Sequence, residues 1–429
     1  MKYLLDIAYI LALILISPKI IYRMIRHGRY RSGLDERLGK IRRKNPDKKC
    51  IWIHAVSVGE VNATKTIVAE LKKQLPDLDI AISATTDTGR NMAEKLYGTD
   101  HCVFYFPFDI SFVMSRAFKK INPAVCVLME LEIWPNMAAV AKKKNIPLVV
   151  ANGRISDRSF PRYKKVKPFV RRSFRRVSLF LAQTQEYADR FIAIGGRAER
   201  TIAAGNLKYD TAEITDKVAG TDELKNALCL GEEKLFVAGG TGNGEEKIIL
   251  EMFKTLRQDA NFENLKLAIV PRKPERFDEV AELIKTFGFS LSRYSNIKAG
   301  QPAQPTAADT VILGDTMGDL RKFYCLADLV FVGRTLVPMG GSDMLESAAL
   351  GKCTIFGPHT FNFKQTVKAL LAGNGAIEVA NGNQLLETTK KCLTDENYTT
   401  SIASAGQNVI RQNQGTTKKI VDEIKKLCN

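Results

Sequence analysis

From about residue 50 onward the chain alternates short apolar, β-rich runs with amphipathic stretches of about 10 to 15 residues. That rhythm limits the fold more than any other feature. Candidate strands in the first half are Ile51–Ser57, Asp79–Thr85, Cys102–Phe106, Ala124–Met129, Pro147–Ala151, Leu179–Ala182 and Thr201–Ala204. The second half continues with Leu235–Ala238, Leu267–Val270, Thr310–Leu313, Leu329–Val332, Thr354–Phe356 and Ile377–Val379. Few of these runs alternate apolar with polar residues, so both faces of the strands must be covered, as in parallel sheets flanked by helices. The expectation is an α/β chain of two doubly wound domains. A polar segment between Asp210 and Glu232 separates two strand–helix series, so the domains are expected at 27–213 and 214–429, preceded by a distinct segment over 1–26.

With 45% apolar and 26% charged residues, the 429-residue chain can bury a large core, which excludes wholesale disorder. Its eight cysteines lie scattered, without CxxC spacing or Cys/His clustering; this argues against a disulfide scaffold and against structural zinc. The net charge of +18 is concentrated in two places: Lys19 to Lys49 and Arg158 to Arg176 each carry +9. Patches of that kind suit nucleic acid or an anionic membrane. The N-terminus decides for the membrane: between Leu4 and Ile16 only Asp6 is charged, and Lys19, Arg23, Arg26, Arg29 and Arg31 follow Pro18. Residues 1–26 are therefore expected to form a membrane anchor or interfacial helix with its basic flank on the cytoplasmic side, and no nucleic-acid partner is expected.

In open α/β sheets ligands gather at the carboxyl ends of the strands, so the segments after each strand carry the candidate chemistry. Glu60, in His54-Ala-Val-Ser-Val-Gly-Glu60, stands near a helix start and can take a proton from a substrate hydroxyl. Ala55-x-Ser57-x-Gly59 on the same segment departs by one residue from a hydrolase nucleophile elbow, with His359 late in the chain as a possible partner. Glu130 and Glu132 follow the fourth candidate strand, ahead of Trp134 and Pro135. Arg272 follows a strand directly, as a phosphate-binding fork would. Gly314-Asp-Thr-Met317-Gly318-Asp319 exposes main-chain groups to a base edge, and the pair Gly340-Gly341 is expected to aim free N–H groups at a phosphate, with Glu346 one turn on for a ribose diol. No phosphate-binding Gly-Lys-Ser/Thr loop, dinucleotide fingerprint or His-Glu-x-x-His motif is present, so a nucleotide site without a metal is expected.

Taken together, His54–Glu60, Glu130-Leu-Glu-Ile-Trp-Pro-Asn136, Gly205-Asn-Leu-Lys-Tyr-Asp210, Val270-Pro-Arg272 with Glu275-Arg-Phe277, Gly314–Gly318 and Gly357-Pro-His-Thr-Phe-Asn-Phe363 resemble the Kdo (3-deoxy-D-manno-octulosonic acid) transferases. The resemblance implies a GT-B fold, two Rossmann-like domains facing a cleft, and metal-independent, inverting transfer of Kdo from CMP-Kdo to a lipid A precursor at the inner membrane. It makes Glu60 the general base and Glu130 a second functional carboxylate, and gives Glu36 a supporting role on the acceptor side. CMP contacts map to Pro271 and Arg272, to Met317, Gly318 and Asp319, and to Gly341, Asp343, Met344, Leu345 and Glu346. Two departures stand out: Ser342 and Asp343 replace a usual His-Asn, and Gly242 stands where His is common.

Overall fold

The computed structural model describes residues 33–301 and 309–428, together with Asp6, Tyr9, Leu15, Pro18, Tyr22 and Arg26. The expected anchor over 1–26 otherwise lies outside the described residues, among which no helix is long and apolar enough to cross a membrane.

Fourteen strands are present among the described residues: β1 Cys50–His54, β2 Asp79–Ala84, β3 Cys102–Tyr105, β4 Pro123–Met129, β5 Leu148–Gly153, β6 Leu179–Ala182, β7 Thr201–Ala203, β8 Leu235–Thr241, β9 Lys266–Pro271, β10 Ser290–Arg293, β11 Thr310–Leu313, β12 Leu329–Val332, β13 Cys353–Phe356 and β14 Ile377–Glu378. They form two parallel sheets, ordered β3-β2-β1-β4-β5-β6-β7 and β10-β11-β9-β8-β12-β13-β14. In each, the winding reverses beside the first strand, between β1 and β4 and between β8 and β12. His54 pairs with Leu128 across the first reversal, and Val332 with Gly239 across the second.

Both faces of the first sheet are buried, which explains the unbroken apolar runs. Trp52, Cys126, Leu128 and Val150 pack on one face, while Ile51, Ile53, Val125, Val127 and Met129 pack on the other. The second sheet buries Phe236, Leu267, Ile269, Phe331 and Ile355 beneath its helices in the same way.

The chain divides into two units, and the division differs from the expected one at the C-terminus. The first unit takes the described residues up to Thr211 together with those from Asn413 onward, and the second spans Ala212–Gln412. The second domain therefore does not run to residue 429. The helix Thr416–Cys428 returns to the first sheet because Ile420, Val421 and Ile424 complete the face lined by Ile51 and Leu71. Asp210 fixes the return by accepting the main-chain N–H groups of Gly415, at 2.8 Å, and of Thr417.

Candidate functional site

In the first unit the helix Val58–Gln74 begins shortly after β1 ends at His54: Ser57 is its N-cap, and Glu60 sits three residues later, the spacing of a capping box. The Ser57 hydroxyl accepts the Glu60 N–H and donates to Glu60 Oε1 at 3.1 Å, while Oε2 accepts the main-chain N–H of Val56 at 2.9 Å. Ser57 has φ −119° and ψ 167°, an ordinary extended residue committed to capping. The hydrolase elbow is thereby excluded, since that motif holds its serine on a strained turn with the hydroxyl free.

Glu130 follows β4 with φ +56°, a left-handed conformation rarely adopted by residues other than glycine and typical of sites where the surroundings impose it. Its N–H donates to Ala151 at 3.0 Å, which extends the β4–β5 pairing by one residue. Burial raises the carboxyl of Glu60, and the charge of Glu130 adds to that effect against the opposing hydrogen bonds. Burial likewise raises Glu130, opposed by Arg154 and Lys208. Glu132 is pushed up to about 7 by burial and then by the charge of Glu60, with Glu130 adding further. Three carboxylates and two cations thus interact where the first sheet reverses. Such a group can hold and release a proton near neutral pH.

Sequence reasoning named Glu60 and Glu130 in this group but left Glu132 without a role and did not use Arg154. His54, by contrast, is fully buried, stacks on Phe106 at 3.9 Å and is driven down to about 3 by burial, so it is neutral scaffolding.

In the second unit Pro271 ends β9 buried, and Arg272 emerges exposed after it, its N–H donating to Thr241 at 3.1 Å. Met317 is 63% exposed and Gly318 has φ +93° with open space around it, so the turn after β11 stands open to solvent. Asp319 is already committed: Lys298 at 2.8 Å, Lys322 at 2.9 Å and the Thr316 hydroxyl at 2.6 Å surround it. Burial alone would raise its carboxyl, but these partners outweigh it and hold it at about 2.

The glycine pair corrects a further expectation. Gly340 and Gly341 both have left-handed φ, of +90° and +88°, yet their loop does not open directly into a helix. The Gly341 N–H donates to Arg334 at 2.8 Å and the Ser342 N–H to Gly333 at 3.0 Å, and the helix, Leu345–Ala349, begins only after Met344. Those N–H groups are consumed in holding the loop, which folds back on Gly333 and Arg334 just after β12. Asp343 accepts the Leu345 N–H at 3.0 Å, and Met344 and Leu345 bury their side chains in the core. Glu346 keeps solvent access; partial desolvation and then the charge of Asp343 raise its carboxyl, with Arg272 and Arg321 opposing.

Two buried groups in this unit were given no role by sequence reasoning, although Glu245 closes the motif that contains Gly242. Glu245 is fully buried and accepts four main-chain N–H groups: Gly242 at 2.9 Å, Thr335 at 2.7 Å, Leu336 at 2.8 Å, and Arg334. It ties the loop after β8 to the loop after β12. The fully buried Tyr324 hydroxyl has no partner among the described residues, and burial followed by the charges of Glu346 and Asp343 pushes it well above its ordinary value.

Residues 32–211 match the family model described as 3-deoxy-D-manno-octulosonic-acid transferase (kdotransferase). The chain is 34% identical over 403 residues to a 3-deoxy-D-manno-octulosonic acid transferase of Haemophilus influenzae, covering 94% of this chain and 92% of that one. It is 28% identical over 430 residues to the enzyme of the same name from Bordetella pertussis, covering 97% and 98%. Among solved structures, UDP-GlcNAc 2-epimerase from Neisseria meningitidis bound to UDP-GlcNAc aligns with a TM-score of 0.60 over 88% of this chain and 100% of that one. At 12% identity that likeness speaks only for the fold, two parallel α/β domains of GT-B type. The chain belongs to the 3-deoxy-D-manno-octulosonic acid transferase family of glycosyltransferases.

Proposed function

We propose that this chain transfers Kdo from CMP-Kdo to a lipid A precursor in lipopolysaccharide biosynthesis, by a metal-independent displacement that inverts the anomeric centre. The observation that carries the catalytic part is the placement of Glu60 and Glu130 after the two strands that flank the reversal of the first sheet, where the charge of Glu130 adds to burial in raising the Glu60 carboxyl. Glu60 takes the proton of a glucosamine hydroxyl. The hydroxyl oxygen then bonds to the anomeric carbon of Kdo as CMP leaves with the electron pair. A carboxyl raised by burial is a stronger base than one in water. Glu130 lies beside the same point, where its charge offsets the positive charge that grows on the sugar ring.

On the donor side Arg272 faces the negative charge of the departing CMP, while main-chain groups at Met317, Gly318 and Asp319, together with Glu346 in the first turn of its helix, hold the nucleotide. The Asp319 carboxylate is neutralised by lysines, so its part is to shape the turn that presents those main-chain groups.

The acceptor is a phosphorylated glycolipid in an anionic leaflet, and the protein works at the cytoplasmic face of the inner membrane. Support comes from the helices Phe160–Lys165 and Lys167–Phe174, which expose Arg162, Lys164, Lys165, Arg171 and Arg172 beside Phe169, itself 84% exposed. An exposed phenylalanine among cations suits a lipid headgroup region, where each cation contributes about 1 kcal/mol. The N-terminal anchor belongs to the same reading.

The test is direct. Purified full-length protein is incubated with CMP-Kdo and a bisphosphorylated lipid A precursor in the presence of EDTA, and the products are identified by mass spectrometry. A glycolipid heavier by one or more Kdo residues is the expected result. Absence of transfer, with EDTA or with added divalent metal, refutes the donor and acceptor assignment; transfer only with metal refutes the metal-independent step.

A further inference from the structure

Most cations along the carboxyl edge of the second sheet are already neutralised. Arg276 lies 2.6 Å from Glu246, Arg293 2.6 Å from Asp315, and Arg321 2.7 Å from Glu213, while Lys298 and Lys322 share Asp319. Among the described residues Arg272 and Arg334 are in no ion pair, although Asp343 and Glu346 lie on the same edge. A donor carrying both a phosphate and a sugar carboxylate would be repelled by those two acids unless cations stood against it.

Arg334 is placed to be one of them. It follows β12, the strand beside β8 where the sheet reverses, and that reversal is where ligands of open α/β sheets settle. Its φ of +63° is costly for a residue bearing a side chain, and a conformation of this kind persists only when the surroundings impose it. Here the imposing group is the buried Glu245 carboxylate, which accepts the N–H of Arg334 and those of Thr335 and Leu336. The side chain then runs past Gly242: a Cβ built on that glycine would run into Met339 Sδ and lie 3.0 Å from Arg334 Cγ. Glycine at 242, one of the two departures from the family pattern, leaves room for both Met339 and the arginine it orients. One guanidinium nitrogen donates to the Met339 carbonyl at 3.1 Å, which orients the fork while leaving its other N–H groups for a ligand.

We propose that Arg334 is a donor-binding residue of this chain, whose guanidinium holds an oxyanion of the nucleotide sugar together with Arg272 at the reversal of the second sheet. The inference rests on reading the second unit as the CMP-Kdo domain. A guanidinium fork suits either oxyanion of the donor, the phosphate or the sugar carboxylate.

The test uses full-length Arg334→Gly, Arg334→Met and Arg334→Lys, with Arg272→Met alongside. Calorimetry measures CMP affinity, steady-state assays give KM and kcat for CMP-Kdo, and thermal melting checks the fold. Glycine tolerates the left-handed backbone, so Arg334→Gly separates loss of the cation from loss of structure. Arg334→Gly and Arg334→Met are expected to weaken donor binding about tenfold with kcat changed less than about twofold, and Arg334→Lys to recover most of it. Weaker CMP binding assigns the contact to the phosphate; a raised KM for CMP-Kdo with CMP binding intact assigns it to the carboxylate. If both Gly and Met variants bind CMP and CMP-Kdo normally while Arg272→Met does not, the inference is overturned. If Arg272→Met is also normal, the donor-site reading beneath it fails.

Discussion

The carboxylate of Glu60 accepts the main-chain N–H of Val56 at 2.9 Å, so the proposed base folds back over the end of the strand that leads into its own helix. That contact and the Ser57 hydroxyl fix the carboxylate from two sides, and among the described residues it is in no ion pair. Replacement of Glu60 by Gln keeps the shape and one acceptor oxygen but removes the basic site. Turnover should fall by roughly 10²–10⁴-fold, the usual worth of general-base catalysis, while CMP affinity stays unchanged. Near-normal turnover in an assay with CMP-Kdo and acceptor would remove Glu60 from the mechanism.

Glu132 gives the first unit a pH signature. Its carboxyl is raised to about 7, so the folded protein holds a proton that the unfolded chain releases near the ordinary value of 4.5. Between those two values the native state binds more protons, and this residue's contribution to stability declines as pH rises. Glu132→Gln removes the penalty. After allowance for partial exposure, the variant should gain about 1 kcal/mol, or about 2–4 °C in Tm, at pH 8 and almost nothing at pH 4. Equal Tm differences at the two pH values would show that the side chain is not protonated in the native state.

Asp210 is the hinge pin of the C-terminal return. By accepting from Gly415 and Thr417 it caps a helix more than two hundred positions away in sequence. Asp210→Ala should cost about 0.5–2 kcal/mol, as the loss of an N-cap does. Hydrogen exchange should show the loss as faster exchange across Thr416–Cys428, with the second unit unaffected; uniform slow exchange there would mean that burial of Ile420 and Ile424 alone secures the helix.

Glu245 is expected to be the most sensitive position of the second unit. A fully buried carboxylate that accepts four N–H groups cannot be replaced by an amide without turning a donor toward donors. Glu245→Gln should lose about 2–4 kcal/mol of stability, given about 1.5–3 kcal/mol for hydrogen bonds to a charged group. It should also weaken CMP binding, because the loop bearing Arg334 loses its support. Retained stability and CMP affinity in denaturant titration and calorimetry would contradict this account.

Strand positions were legible because period and composition carry them directly. Each of the thirteen expected strands is found, with ends shifted by no more than a few residues. The strand that sequence reasoning missed is β10, Ser290–Arg293, at one edge of the second sheet, where exposed and half-buried Ser, Leu, Ser and Arg leave no apolar run to detect. Motif strings likewise brought out Glu60, Glu130 and Arg272, since each follows a strand whose position was clear.

Other features depend on contacts between distant parts of the chain. Whether Gly341 offers a free N–H depends on the Arg334 carbonyl, whether Asp319 can meet a ligand depends on Lys298 and Lys322, and whether Glu132 holds a proton depends on the charge of Glu60. The amino-acid sequence by itself determined the order of strands and helices and the residues that stand at the strand ends, because local periodicity and turn chemistry act over a few neighbours. Only the tertiary structure decided which of those residues are already spent on holding the fold, since hydrogen bonds and charges are shared among groups that folding brings together from far along the chain.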